Sequence, residues 1–292
     1  MTELDDSVLY DVASLWVGPE LSWMEQICLM SFLEKGHRTI LYAYDEVKSV
    51  PDGVEVRDAR EVMATDQIIY HVNTGSPAFH SDVFRLRLLE QTDYLWIDTD
   101  AYCLKPFVRQ ANGFFYGWGT DNRRIICSGV LGLPKDSDTL RAMLELTRDE
   151  YPVPPWASPE RQSELLRLKE AGQGVHMSRM PWGVCGPEAL HYFAHKSGEV
   201  QHAFAGPVLY PVPFAATRAF HRPHLKKKVL EAITEETLSV HFYGRRFRNI
   251  FALSGGVPLE GSYADELCKR HAVDPVQTAH LFVQRKPGKM AG

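Results

Sequence analysis

Asp98 and Asp100, separated by Thr99, follow directly on the apolar run Tyr94-Leu95-Trp96-Ile97. Two neighbouring carboxylates repel each other unless a cation lies between them. A hard divalent ion shared with phosphate oxygens is the usual partner for such a pair. An extended backbone would turn both side chains the same way, and the carboxyl ends of strands are where open α/β sheets bind ligands. The plain alternative is a solvated turn after a strand. A D-x-D on its own is weak evidence, because a chain of this length should hold roughly one by chance. The second one here, Asp136-Ser137-Asp138, precedes a helical pattern and reads as a helix cap with a first-turn acid.

Other residues could join the pair. Asp82 and Arg85 stand three apart in a helical pattern and so share one face. Arginine suits phosphate or carboxylate, and aspartate suits sugar or ribose hydroxyls; the alternative is an ordinary surface ion pair. His241, in Ser239-Val240-His241-Phe242-Tyr243-Gly244-Arg245-Arg246, could ligate a metal or donate to a diphosphate, with an arginine adding charge, or could be structural. His191 and His195 have metal-ligand spacing, but Tyr192 stands where a zinc protease needs glutamate, so the pair reads as structural. Trp156 and Trp182 could pack on sugar rings or simply build loops. Lys226-Lys227-Lys228 reads as a solvated face, or as a greeting for an anionic acceptor.

The elements that must position these residues alternate between strand and helix. Val12 to Val17 reads as a buried strand. A helix then starts at Ser22 with Glu25 in capping-box register. Thr39 to Tyr44 and Val54 to Val56 are further strand candidates. Ser76-Pro77 reads as a cap and first helical residue, followed by a helix through Leu89. Tyr94 to Ile97, Phe114 to Trp118 and Ile125 to Leu133 complete the first half. Continuous apolar strands between helices predict a mainly parallel sheet covered by helices. The middle is irregular, with four prolines in Tyr151 to Pro159 and helices over about Pro159 to Ala171 and Pro187 to Lys196. Residues 207–213 and 238–243 are expected as strands returning to the sheet. The rest is expected to be helical, fraying from Lys286 to Gly292.

Composition bounds the function. The 292 residues, 45% hydrophobic and 24% charged, suit a globular protein with a full core. A formal net charge of −5 offers no general attraction to nucleic acid or anionic membrane, so no nucleic-acid partner and at most peripheral membrane contact are expected. Five scattered cysteines without a C-x-x-C argue against a disulfide framework or structural zinc and suit a cytoplasmic setting. The acidic start, Met1 to Ser7, does not read as a signal peptide.

The run His80-Ser81-Asp82-Val83-Phe84-Arg85, Leu88-Leu89, Trp96-Ile97-Asp98-Thr99-Asp100 and Cys103-Leu104-Lys105-Pro106 resembles the DXD-containing glycosyltransferases of family 32. The sixteen-residue step from Asp82 to Asp98 is also similar to that in the glucosyltransferase domains of large clostridial toxins. The strong part of the resemblance spans residues 80–106. Thr92-Asp93 replaces the Gly-Gly often found before the DXD strand, and Trp96 a usual tyrosine.

The resemblance implies one GT-A-like α/β domain with a helical and loop insertion in its C-terminal half. Residues 1–135 would bind the nucleotide sugar, 136–260 would face the acceptor, and 261–292 would form a helical tail. It implies a retaining hexosyl transfer from a nucleotide-diphosphate sugar, UDP-sugar favoured, to an acceptor hydroxyl on a glycan, lipid-linked glycan or protein. Asp98 and Asp100, with His241, would hold Mn²⁺ or Mg²⁺; Asp82 and Arg85 would orient sugar and phosphate. Trp16 would stack on the nucleobase, with Tyr44 and Thr99 as further donor contacts and Trp156 and Trp182 on the acceptor side. The alternatives are a catalytically silent nucleotide-sugar-binding protein and a nucleotidyltransferase. The latter usually shows a Gly-rich, basic loop after the first strand, and Gly18-Pro19-Glu20 is neither.

Overall fold

The computed structural model describes residues 8–65, 67–121 and 125–283. The acidic start and the frayed end considered above lie outside them. The chain runs β1 (Val12–Trp16), α1 (Trp23–Glu34), β2 (Thr39–Ala43), β3 (Glu55–Asp58), α2 (Ala78–Gln91), β4 (Leu95–Ile97), β5 (Ala101–Cys103), β6 (Phe115–Trp118) and β7 (Ile126–Gly132). Then follow α3 (Asp138–Arg148), α4 (Pro159–Glu170), α5 (Pro187–Ser197), α6 (Gly206–Leu209), α7 (Lys226–Ala232), β8 (Ser239–His241), α8 (Gly244–Ala252), α9 (Tyr263–Arg270) and α10 (His280–Val283). The architecture is mixed α/β, with a central sheet of order β3-β2-β1-β4-β7-β6 flanked by helices. β3, β2, β1 and β4 are mutually parallel, and β7 enters antiparallel to both β4 and β6.

Burial on both sheet faces explains the unbroken apolar strands. Ala13, Leu15 and Trp96 point into one core with Phe84, Leu86 and Leu89 of α2 and residues of α3 and α5. Val12, Leu95 and Ile97 alternate into the other, against Phe32 of α1. Ser22 and Glu25 form the expected reciprocal capping box at the start of α1. Ser137 caps α3 through the Leu140 N–H, so the second D-x-D is indeed a helix start.

Three expectations are corrected. α2 starts at Ala78, one residue late, because Pro77 takes the cap position and the Ser76 hydroxyl accepts the Ala78 N–H. Residues 207–213 form no strand: Gly206-Pro207 opens the short turn α6, proline fitting a first helical position. β8 does form, but it pairs with β5 in a separate two-stranded sheet instead of returning to the main one. Between Gly132 and Ser239 the described residues hold helices and loops only.

All five cysteines are free. Among the described residues no helix is long and apolar enough to cross a membrane.

His80 on α2 is fully buried. Its Nε2 meets the Tyr44 hydroxyl at 3.0 Å, and its Nδ1 accepts the Ile69 N–H at 3.3 Å. Burial pulls its pKa down to about 4. A folded-state pKa below the unfolded value near 6.5 means that the unfolded chain binds the extra proton first. This residue's contribution is therefore complete above about pH 6.5 and is lost as pH falls towards 4. His80→Gln should flatten the acid limb of the stability curve in that window, by about 3 kcal/mol or less, in urea titrations at stepped pH.

Candidate active site

The main sheet delivers Asp98 and the small sheet delivers its partners. β1, β2 and β4 run parallel, so Trp16, Ala43 and Ile97 finish on the same edge of the sheet. Beyond Ile97 the chain turns, with the Ala101 N–H bonded to the Asp98 carbonyl at 3.0 Å, and leaves as β5. The carboxylates thus converge through a turn, not along the extended backbone the sequence suggested. β8 lies antiparallel to β5 with His241 opposite Ala101, which brings the imidazole to the same turn. One ligand atom from each of Asp98, Asp100 and His241 lies within 4.8 Å of the others.

His241 Nε2 stands 3.1 Å from Asp100 Oδ1 and 3.5 Å from Asp98 Oδ2. It is buried and makes no hydrogen bond of acceptable geometry. Two carboxylates and an orphaned imidazole nitrogen aimed between them are a donor set that fits a divalent cation. Asp100 is further tied to α8: its Oδ2 accepts the Gly244 N–H at 2.5 Å, and its carbonyl accepts the Phe242 N–H at 2.9 Å. Tyr243, at φ 56°, makes the left-handed turn that aims α8 at the carboxylate.

Arg85 is the cation already in place. Its Nη2 lies 3.2 Å from Asp82 Oδ1 and 3.2 Å from Asp98 Oδ1, and its Nη1 donates to the Ser128 carbonyl at 2.6 Å. The guanidinium packs on the Trp96 ring, 4.9 Å from its centroid, and Trp96 Nε1 donates to Asp98 Oδ1 at 2.8 Å. Asp82 and Arg85 are both buried, so this is no surface pair.

The charges respond accordingly. Burial raises the Asp82 pKa to about 6, with Arg85 opposing the rise and Asp98 adding to it. Burial also pushes Asp98 up, but Arg85 and His241 outweigh it and leave its pKa lowered. Asp100 is raised by burial, a rise that His241 opposes and Asp98 reinforces. Burial disfavours a charged His241, yet Asp100 and Asp98 outweigh it and raise its pKa.

All five residues line one open cleft of about 960 Å³, together with Trp182, Glu188, Asp121, Arg245 and Arg246. Of the other sequence candidates, Trp182 lines the cleft and the rest stand apart from its walls. Thr99 sits in the turn between the two aspartates. Trp16 ends β1 with its Nε1 buried and unpartnered and with the Arg248 guanidinium 5.9 Å from its ring. The Tyr44 hydroxyl is engaged by the Met63 carbonyl and His80. Trp156 packs against Tyr192 and Phe193 and donates to Glu188. Trp182 lines the cleft, with Arg245 over its ring at 5.5 Å. His191 and His195 stack edge-on around Trp118, away from any third ligand among the described residues. Lys226 and Lys227 pair with Glu266 and Glu231, as expected of a solvated face.

Sequence reading passed over Gly129 and saw Gly186 only as part of the Trp182 to Pro187 turn before a helix. A Cβ at Gly129 would stand 2.5 Å from His241 Nε2, and one at Gly186 would stand 2.5 Å from Asp82 Oδ1. A glycine inside the strand pattern of β7 was the available sign of such a close approach.

Neither a protein-family model nor a curated protein matches the chain. Among solved structures, it is similar to one described as PaToxG glycosyltransferase, at 12% identity and TM-score 0.42, covering 84% of this chain and 85% of that one. It is also similar to the apo structure of the bifunctional glycosyltransferase WbbM, at 11% identity and TM-score 0.39. That match covers 90% of this chain and 52% of the WbbM chain, so this chain spans about half of that protein's length.

Two substitutions test the site. Mn²⁺ is expected to raise the melting temperature of the wild type, and Gly129→Ala, by displacing His241, should remove that rise while the metal-free protein stays folded; differential scanning fluorimetry reads both. Arg85→Met leaves the buried Asp82 and the part-exposed Asp98 without their cation and should cost about 3 kcal/mol at neutral pH, read by urea unfolding.

Proposed function

We propose that the protein is a metal-dependent glycosyltransferase of GT-A type. It would move a hexose from a nucleotide-diphosphate sugar, UDP-sugar favoured, to an acceptor hydroxyl with retention of configuration. The observation that carries the reading is the convergence of Asp98, Asp100 and the unpartnered His241 nitrogen on one point of a cleft large enough for a nucleotide sugar. Asp98, Asp100 and His241 would hold Mn²⁺ or Mg²⁺, which when bound supplies charge neutralisation for the departing diphosphate.

The chain's own residues do the remaining work. Arg85 holds Asp98 and Asp82 in place and keeps Asp98 ionised. Asp82, which lines the cleft, accepts hydrogen bonds from hydroxyls of the transferred sugar. Arg245 and Arg246, in the first turn of α8, favour an anionic diphosphate, because guanidinia attract it. Trp16 is the candidate platform for the nucleobase, at the end of the strand beside β4, and Tyr44 and Thr99 are the weaker donor candidates. Trp182 offers an aromatic face to an acceptor, which could be a glycan, a lipid-linked glycan or a protein. The two carboxylates share one cation site, an arrangement that suits diphosphate better than a glycosidase's pair flanking the scissile bond.

The decisive experiment is a thermal-shift screen against UDP-, GDP- and ADP-sugars with and without Mn²⁺, followed by a donor-hydrolysis assay. One nucleotide class should stabilise the protein only with metal. Asp98→Asn/Asp100→Asn should lose that shift and at least 100-fold in turnover. Stabilisation that is independent of metal, or retained in the double variant, would overturn the reading.

A further inference from the structure

Glu188 is a cleft residue that the resemblance did not single out. It occupies the second position of α5, after Pro187. Gly186, just before the helix, is pressed against Asp82, so the start of α5 and the acid on α2 are in direct contact. The Glu188 carboxylate is half-buried and forms no ion pair among the described residues, although Arg245 and Arg246 line the same cleft. Those two guanidiniums instead pack on the rings of Trp182 and Phe214.

One oxygen of Glu188 is accounted for. Trp156 Nε1 donates to Oε2 at 3.4 Å. The indole is held by Tyr192 and Phe193, whose ring centroids lie 5.3 and 6.0 Å from its own. Both belong to α5, the helix that carries Glu188, so the helix fixes the carboxylate and the group that orients it. The other oxygen, Oε1, makes no hydrogen bond to the described residues and is free to accept one from a ligand in the cleft.

A carboxylate without a cation repels phosphate and binds neutral donors. On this basis, and resting on the glycosyltransferase reading above, we infer that Glu188 binds hydroxyl groups of the donor's hexose, with Trp156 as its positioning residue. Asp82 and Glu188 would then hold the sugar between α2 and α5, while the metal trio and α8 hold the diphosphate. This changes the part assigned to Trp156 from an acceptor platform to a residue that acts through Glu188.

The test compares two ligands that differ only in the sugar. Titration calorimetry with Mn²⁺ would measure UDP against UDP-glucose, with GDP and GDP-mannose in parallel, on the wild type, Glu188→Gln and Trp156→Phe. Glu188→Gln should bind the nucleoside diphosphate like the wild type and the nucleotide sugar about 10-fold more weakly, the loss of one charge-assisted hydrogen bond. Trp156→Phe keeps the ring packing and removes the N–H, and should weaken the sugar form alone, by about 3-fold. Variants that bind both ligands as the wild type does would overturn the role of Glu188 and leave the donor reading standing. Equal weakening of both ligands, with a lowered melting temperature, would make Glu188 a structural residue and overturn the inference. A wild type that binds neither form of either nucleotide would overturn the donor reading and this inference with it.

Discussion

The structure is organised around a concentration of negative charge at the meeting point of α2, the β4–β5 turn and β8. Asp82, Asp98 and Asp100 meet at the edge of the sheet, and Asp82 is buried. Left alone, such a group would protonate or push its members apart. Arg85 prevents that by facing Asp82 and Asp98 together, and its own position is set by the Ser128 carbonyl and the Trp96 ring. Asp100 lies beyond its reach and is stabilised by the first N–H of α8 and by the approach of His241. The compensation is incomplete, because His241 keeps an unpartnered nitrogen and the pKa values of Asp82 and Asp100 stay raised. That residual imbalance is what a divalent cation would relieve.

The fold follows from the need to bring those groups together from distant parts of the chain. The parallel strands carry the β4 aspartate to the ligand edge of the sheet. The small β5–β8 sheet recruits His241 from about 140 residues further on, and α8 starts immediately after it. β7 runs antiparallel beside β4 and contributes Gly129, whose missing side chain is the space that His241 occupies. Gly186 does the same for Asp82 on the opposite wall. The site is therefore shaped by two absences of side chain as much as by the charged groups themselves.

The loops between β7 and β8 complete the cleft. They supply Trp182 and Phe214, while α5 supplies Glu188 and α8 supplies Arg245 and Arg246. Each arginine packs on an aromatic ring of a different loop, which links the start of α8 to both of those loops. The cleft thus offers both guanidinium cations and the Glu188 carboxylate, which suits a ligand with one anionic and one hydroxyl-rich end.

Much of this was legible in the residues. The apolar run ending in Asp98 announced a buried strand with acids at its end, and the spacing of Asp82 and Arg85 put them on one helical face. Ser22 with Glu25 and the Ser137 cap were equally local, set by side chains that bond their own backbone within three residues. Such short-range signals survive in sequence because the partners are neighbours in the chain. Burial of the Asp82–Arg85 pair, the turn that converges Asp98 with Asp100 and the pairing of β8 with β5 depend on contacts between segments far apart. So do the engagement of the Tyr44 hydroxyl by His80 and the bond from Trp156 to Glu188. No local pattern encodes those contacts, because each is selected by packing against a surface that exists only once the sheet has assembled.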